Sequence, residues 1–129
     1  MLKSVNALFI RTRNMDKLIG FYQALGLPLK ISDHGGGLHA ECDIGDLHFA
    51  LQPWKSHEAP TSNVSFSFHV PNLEEYCRQL EGQLEFSSKP TPQPFGGVTA
   101  EIHDPDGNHI FLTRWQSDDE YKRNFPREG

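Results

Sequence analysis

The sequence predicts an α+β fold built from two βαβββ modules, and three observations predict it. Three blocks recur in the same order: Asn14-Met15-Asp16-Lys17 returns as Asn72-Leu73-Glu74-Glu75, Gly36-Gly37-Leu38-His39-Ala40-Glu41 as Gly96-Gly97-Val98-Thr99-Ala100-Glu101, and His48-Phe49-Ala50-Leu51-Gln52-Pro53-Trp54 as His109-Ile110-Phe111-Leu112-Thr113-Arg114-Trp115. The offsets are 58, 60 and 61 residues, so only loop lengths drift and one structural unit is used twice. Each half opens with an alternating apolar stretch followed by a helical one. Each then carries three more strand-like segments separated by turns rich in Gly, Asp or Pro.

Element by element, Leu2 to Arg11 alternates as a strand, and Asn14 is placed to cap a helix over Met15 to Leu25 that Gly26 and Pro28 close. Extended segments follow near Pro28 to Asp33, Gly37 to Asp43 and Leu47 to Gln52. The second half repeats the plan, with a strand over Val64 to Val70 and a helix that Asn72 caps and that runs to Leu80. Its three further strands fall near Leu84 to Ser88, Val98 to His103 and His109 to Trp115. Residues 52–63 form a Pro- and Ser-containing linker, and Lys89 to Gly97, with three prolines and two glycines, a loop. In Asp104-Pro105-Asp106-Gly107 the proline presets φ and the glycine accepts the positive φ that a tight turn then needs. The tail of residues 116–129 is charged and is expected to cover an edge or a subunit contact.

At 129 residues the chain suffices for a single domain, residues 1–129, with internal modules at about 3–54 and 63–115 that would each be marginal alone. The net charge of −5, with only 12 scattered Lys and Arg, argues against nucleic acid as a partner. No apolar run approaches the roughly 20 residues that span a bilayer, and the N-terminus lacks the apolar stretch of a signal peptide. A cytoplasmic protein with no membrane partner is therefore expected. Cys42 and Cys77 lie on apolar faces of a strand and a helix, where reduced core thiols are expected rather than a disulfide.

Parity sorts each strand into a helix-covered side and an open side. Leu8 and Ile10, Ala40 and Cys42, Phe49 and Leu51, Ala100 and Ile102, and Ile110 and Leu112 mark the covered side. The opposite parity gathers Ala7, Phe9 and Arg11; His39 and Glu41; His48, Ala50 and Gln52; Ser65, Ser67 and His69; Glu101 and His103; and His109, Phe111 and Thr113. Five of the seven histidines fall there. Two readings stand side by side: a concave surface rich in titratable groups, or an ordinary solvated sheet face, which tolerates His on any exposed strand.

The βαβββ pair, the Phe21-Tyr22-Gln23-Ala24-Leu25-Gly26-Leu27 helix end, and Asp104-Pro105-Asp106-Gly107-Asn108 entering the last strand together resemble the vicinal oxygen chelate superfamily. That group holds glyoxalase I, bleomycin-resistance proteins, fosfomycin-resistance enzymes and extradiol dioxygenases. The resemblance runs from about residue 3 to residue 115. It implies modules that form a curved, U-shaped mixed-sheet cup with the helices on its outer face, commonly in a homodimer, with a small molecule or a metal inside. In metal-dependent members the ligands come from the first and last strand of each module. Those positions fall here at Ala7, Ala50, Ser65 and Phe111, and two methyl groups, a hydroxyl and a phenyl ring do not replace the imidazoles and carboxylates that bind divalent metals.

The leading expectation is a metal-free protein, without cofactor, that binds a small molecule in a cup lined by Phe9, Arg11, His48, Ser65, His69, Glu101, His103, His109 and Phe111. Trp54 and Trp115 stand either at its mouth or in module packing. The rival is an enzyme, a lyase or dioxygenase that holds a divalent metal at a displaced site of His48, His69, Glu101 and His109, or a metal-free acid–base catalyst. A third reading gives the Pro-rich loop and the acidic tail to a protein partner. A homodimer is expected, on the resemblance and on the sheet edges each half would otherwise expose.

Overall fold

Alternating Leu8 and Ile10 against Phe9 and Arg11 makes β1 (Ala7–Thr12) the first strand of the computed structural model, which describes residues 1–33, 37–58 and 65–127. The expected start at Leu2 is corrected: Leu2 and Val5 are exposed, and the ladder to the last strand of this half begins with His48 N–H donating to the Asn6 carbonyl. Helix α1 (Met15–Ala24) follows, then β2 (Lys30–Asp33), β3 (Leu38–Ile44) and β4 (Leu47–Pro53). The sheet order is β1-β4-β3-β2, with β1 parallel to β4 and the other pairs antiparallel. Helix α1 forms because Leu18, Ile19, Tyr22 and Leu25 share one face, and all four are buried. Tyr22 packs on Phe49 of β4 at a ring separation of 5.0 Å. Asn14 sits at the N-cap, but its side chain makes no capping bond; instead the Thr12 hydroxyl accepts from Asn14 N–H at 2.8 Å. At the other end Gly26 adopts φ +102°, and Leu27 N–H returns to the Tyr22 carbonyl. This half is one compact unit, Met1–Ser62.

The second unit, Asn63–Gly129, repeats the plan with β5 (Phe66–His69), α2 (Leu73–Leu80), β6 (Phe86–Pro92), β7 (Gly97–His103) and β8 (His109–Trp115). Its order is β5-β8-β7-β6, again with one parallel pair, β5 with β8. Leu73, Cys77 and Leu80 bury the stripe of α2, while Val98, Ala100, Ile102, Ile110 and Leu112 bury the covered side of the sheet. Burial pushes the Cys77 thiol up to about 11, which leaves it protonated and inert at neutral pH. Cys42 is likewise buried and unbonded, in the other unit. The turn at Asp104 is as the motif requires: its buried carboxylate accepts from Asp106 N–H, Asn108 N–H and Asn108 Nδ2, and Gly107 takes φ +86°.

One expectation for this unit is corrected, and the tail adds an element to it. Residues 89–92, read as loop, belong to β6: an edge strand tolerates Pro90 and Pro92 because its outward positions need no donor, and register shifts on either side of Ser88 absorb the misfit. The charged tail contains a helix, α3 (Asp118–Asn124), opened by a Ser117–Glu120 capping box. Arg114 ties three elements together. Its guanidinium donates to Glu74 of α2 at 2.6 to 3.0 Å and to Glu120 of α3 at 2.6 and 2.9 Å. Gly36, residues 59–63 of the linker, Val64, and residues 128–129 of the tail lie outside the described residues. Among the described residues, no helix is long and apolar enough to cross a membrane.

Candidate functional site

The register of β5, β8 and β7 stacks the open-face side chains in rungs. Ser67, Phe111 and Glu101 share one rung, His69, Thr113 and Thr99 the next, and Trp115 stands opposite Gly97 on the last. Over these rungs lies a cavity of about 550 Å³. Its walls are mainly apolar, from Phe95, Phe111 and Trp115, and small polar groups are spaced between them. The Ser67 and Thr113 hydroxyls meet at 2.8 Å, and Gln93 Nε2 donates to Thr99 Oγ1 at 3.0 Å.

The wall from Phe95 depends on Gly97. A Cβ there would come within 2.7 Å of Phe95 Cε1 and 3.2 Å of Thr113 Cγ2, so a bare backbone at this rung lets the Phe95 ring fold over it. Phe95 then meets Trp115 edge-on at 6.3 Å. The loop that carries Phe95 is held from outside. Gln116 Nε2 donates to the carbonyls of Gln93 and Gly97, and the Tyr121 hydroxyl of α3 donates to the Pro94 carbonyl at 2.6 Å. The Pro-rich loop and the tail thus bind each other.

The histidines divide by unit. In the second unit His103 and His109 face each other across β7 and β8 and stack at 4.8 Å with 9° between the rings, and His109 also lies against Phe111 at 4.5 Å. His109 Nε2 is buried without a hydrogen-bond partner, 3.7 Å from the Glu101 carboxylate. In the first unit Asp43 occupies the place of His103, opposite His48. There His48 Nδ1 lies 2.9 Å from Asp43 and Nε2 3.2 Å from Glu41, with Phe9 edge-on at 6.4 Å. The hydrogen bond to Asp43, reinforced by Glu41, holds the His48 imidazole above the usual histidine range.

Of the residues expected at the site, His69, Glu101 and Phe111 line this cavity. His103 and His109 lie one rung beyond Glu101, and Ser65 is exposed just before β5. Phe9, Arg11 and His48 belong to the open face of the first unit, where Arg11 is exposed and pairs in register with Gln52. Ser67, Gln93, Phe95, Thr99 and Thr113 line the cavity too, and were missing from the expected set. Parity places Ser67 and Thr113 on the open face and, carried two residues back from Glu101, Thr99 as well; Gln93 and Phe95 carry no such signal. Trp115 lines the cavity, whereas Trp54 donates from Nε1 to the Glu58 carbonyl. At the positions where the resemblance puts metal ligands, Ala50 is buried, Ala7 half-buried, and Phe111 is a cavity wall, so the set offers a single hydroxyl, that of Ser65. Among the described residues, no three or more His, Cys, Asp or Glu gather to hold a metal ion.

Residues 4–112 match the family model of the Glyoxalase/Bleomycin resistance protein/Dioxygenase superfamily. Solved structures similar to this chain include a glyoxalase/bleomycin resistance protein/dioxygenase from Nocardioides, with 16% identity and a TM-score of 0.72 over 100% of this chain and 91% of that one. TnmS3, an antibiotic-binding protein from a Streptomyces species, has 21% identity and a TM-score of 0.73 over 89% of this chain and 98% of its own. A bleomycin-binding protein complexed with bleomycin has 22% identity and a TM-score of 0.65 over 89% of this chain and all of its own. No curated protein matches the sequence.

Proposed function

The chain belongs to the glyoxalase/bleomycin resistance protein/dioxygenase superfamily, and on that premise we propose that it binds a small organic molecule, without a metal, in the cavity on the open face of its second unit. One observation carries the reading: a volume of about 550 Å³, walled by three aromatic rings, with hydroxyl, amide and carboxylate groups spaced between them. That composition, mostly apolar with a few polar groups to fix orientation, is what small-molecule sites have. Two similar structures support it, one of an antibiotic-binding protein and one of a bleomycin-binding protein complexed with bleomycin. The donor set at the family's ligand positions supports independence from metal, because a single hydroxyl cannot anchor a divalent ion. The reading includes a homodimer, supported by edge strands β1 and β5, which each have one partner within their own sheet.

The rival reading, a metal held by His109 and Glu101 within the second unit, draws on the partnerless buried Nε2 of His109 beside Glu101. It is the weaker one, since among the described residues no third His, Cys, Asp or Glu joins them to hold an ion. The deciding experiment titrates bleomycin and a set of small aromatic molecules into the protein with chelator present, following backbone amide resonances. Saturable shifts at Ser67, Glu101, Phe111 and Trp115 are expected, with affinity reduced about tenfold in Phe111→Ala. Resonances unmoved across the whole set would sink the proposal, and binding that appears only when a divalent metal is added would turn it to the rival.

A further inference from the structure

Among the side chains that line the cavity, Glu101 alone carries a formal charge when His69 is neutral. No lysine or arginine among the described residues pairs with it. Its one ion-pair neighbour is His109, whose Nε2 stands 3.7 Å away, beyond hydrogen-bond length. The Glu101 side chain is only 34% exposed, so this carboxylate is partly withdrawn from water and has no cation of its own. Phe111 shares its rung, and Phe95 and Trp115 line the same cavity from two rungs further along; aromatic rings attract positive charge to their faces through their quadrupoles. An anionic ligand would meet the Glu101 carboxylate directly and a chain of net charge −5 at longer range.

From this juxtaposition of an unshared carboxylate with three aromatic walls, we propose that the cavity selects organic cations: aromatic molecules that bear a quaternary or protonated ammonium group, the ammonium set against Glu101 and the ring against Phe95 and Trp115. The proposal rests on the small-molecule reading above and narrows it. His69, His103 and His109 are the other titratable groups facing this region, from β5, β7 and β8; each one that gains a proton adds a cation that competes for Glu101.

The test compares three probes of similar size on the full chain: phenyltrimethylammonium, its neutral isostere tert-butylbenzene, and benzoate. It is run at about pH 8, above the ordinary histidine range, and read by amide shifts. The cation is expected to bind about tenfold more tightly than the isostere, with benzoate weakest. Glu101→Gln should cut the affinity for the cation by about tenfold and leave that for the isostere unchanged. The probe comparison on the unaltered chain stands even if that variant does not fold. Equal affinities for cation and isostere, with shifts at Phe111 and Trp115, overturn the charge selectivity and leave the small-molecule reading intact. No shift with any of the three overturns both.

Discussion

Glu41 and Glu101 occupy the same place in the repeat, yet their histidine partners are held differently. His48 is gripped on both ring nitrogens, by Asp43 at 2.9 Å and Glu41 at 3.2 Å. His109 keeps a bare Nε2, since the Glu101 carboxylate stands 3.7 Å from it, and the position across the ladder is His103 rather than an acid. The same repeated rung thus holds a histidine clamped by two acids in one unit and a histidine stacked on a second histidine in the other. The consequence is measurable at His48. Its partners raise its pKa, the hydrogen bond to Asp43 foremost, so the stability it contributes is fully present below the unfolded-state value and is lost as pH rises through the elevated folded value. In an NMR titration of the histidine Hε1 resonances, His48 should titrate above the ordinary histidine range, and Asp43→Asn should bring it down. A His48 that titrates identically in both forms would show that the clamp does not hold in solution.

Helix α3 works through side chains that bury nothing, and for that reason the sequence hides it. None of its residues is buried, so no apolar periodicity marks it; only Ser117-x-x-Glu120 does, a short signal in a tail that otherwise reads simply as charged. Residues 89–92 read as a loop for the opposite reason: prolines that forbid a central strand are compatible with an edge. The tie to Arg114 pushes Glu120 down to about 2, and the same guanidinium lowers Glu74. Depressed carboxylate pKa values contribute stability above the ordinary carboxylate range that is lost as pH falls through the folded values, here toward about 2. Acid unfolding should therefore begin earlier in Arg114→Met than in the unaltered protein, with the gap closing at the lowest pH. Helix α3 also bears on the cavity. Tyr121→Phe removes the bond to Pro94 and should cost about 0.5–1.5 kcal/mol in urea unfolding while making Trp115 more open to acrylamide quenching, measured in a Trp54→Phe background. Quenching that stays the same would mean the loop bearing Phe95 keeps its place without α3.

At the scale of the whole molecule, the internal repeat carried most of what was legible. It gives both βαβββ plans, the parity of the strands and, through the rungs, Glu101 and Phe111 as neighbours on one face. What it could not give was the part of the cavity that comes from outside the repeated rungs. Phe95 reaches its place because Gly97 leaves room and Tyr121 holds its loop; Gly97 has its repeat counterpart in Gly37, but Phe95 and Tyr121 lie outside the repeated blocks. The formal charge of −5 is also a property of the entire chain, and it separates two sources of any preference for cations. Raising ionic strength from about 0.01 M to about 1 M shortens the Debye length from roughly 30 Å to roughly 3 Å, which erases the long-range field but leaves a carboxylate in direct contact with its ligand largely unscreened. Phenyltrimethylammonium should therefore lose only part of its affinity across that range, a few-fold on the order of the screened field, and tert-butylbenzene none. If salt removes the whole preference for the cation, the selectivity belongs to the chain's net charge and Glu101 is a bystander. If a residual advantage survives at high salt and disappears in Glu101→Gln, the selectivity is local to the rung that Glu101 shares with Phe111 and Ser67.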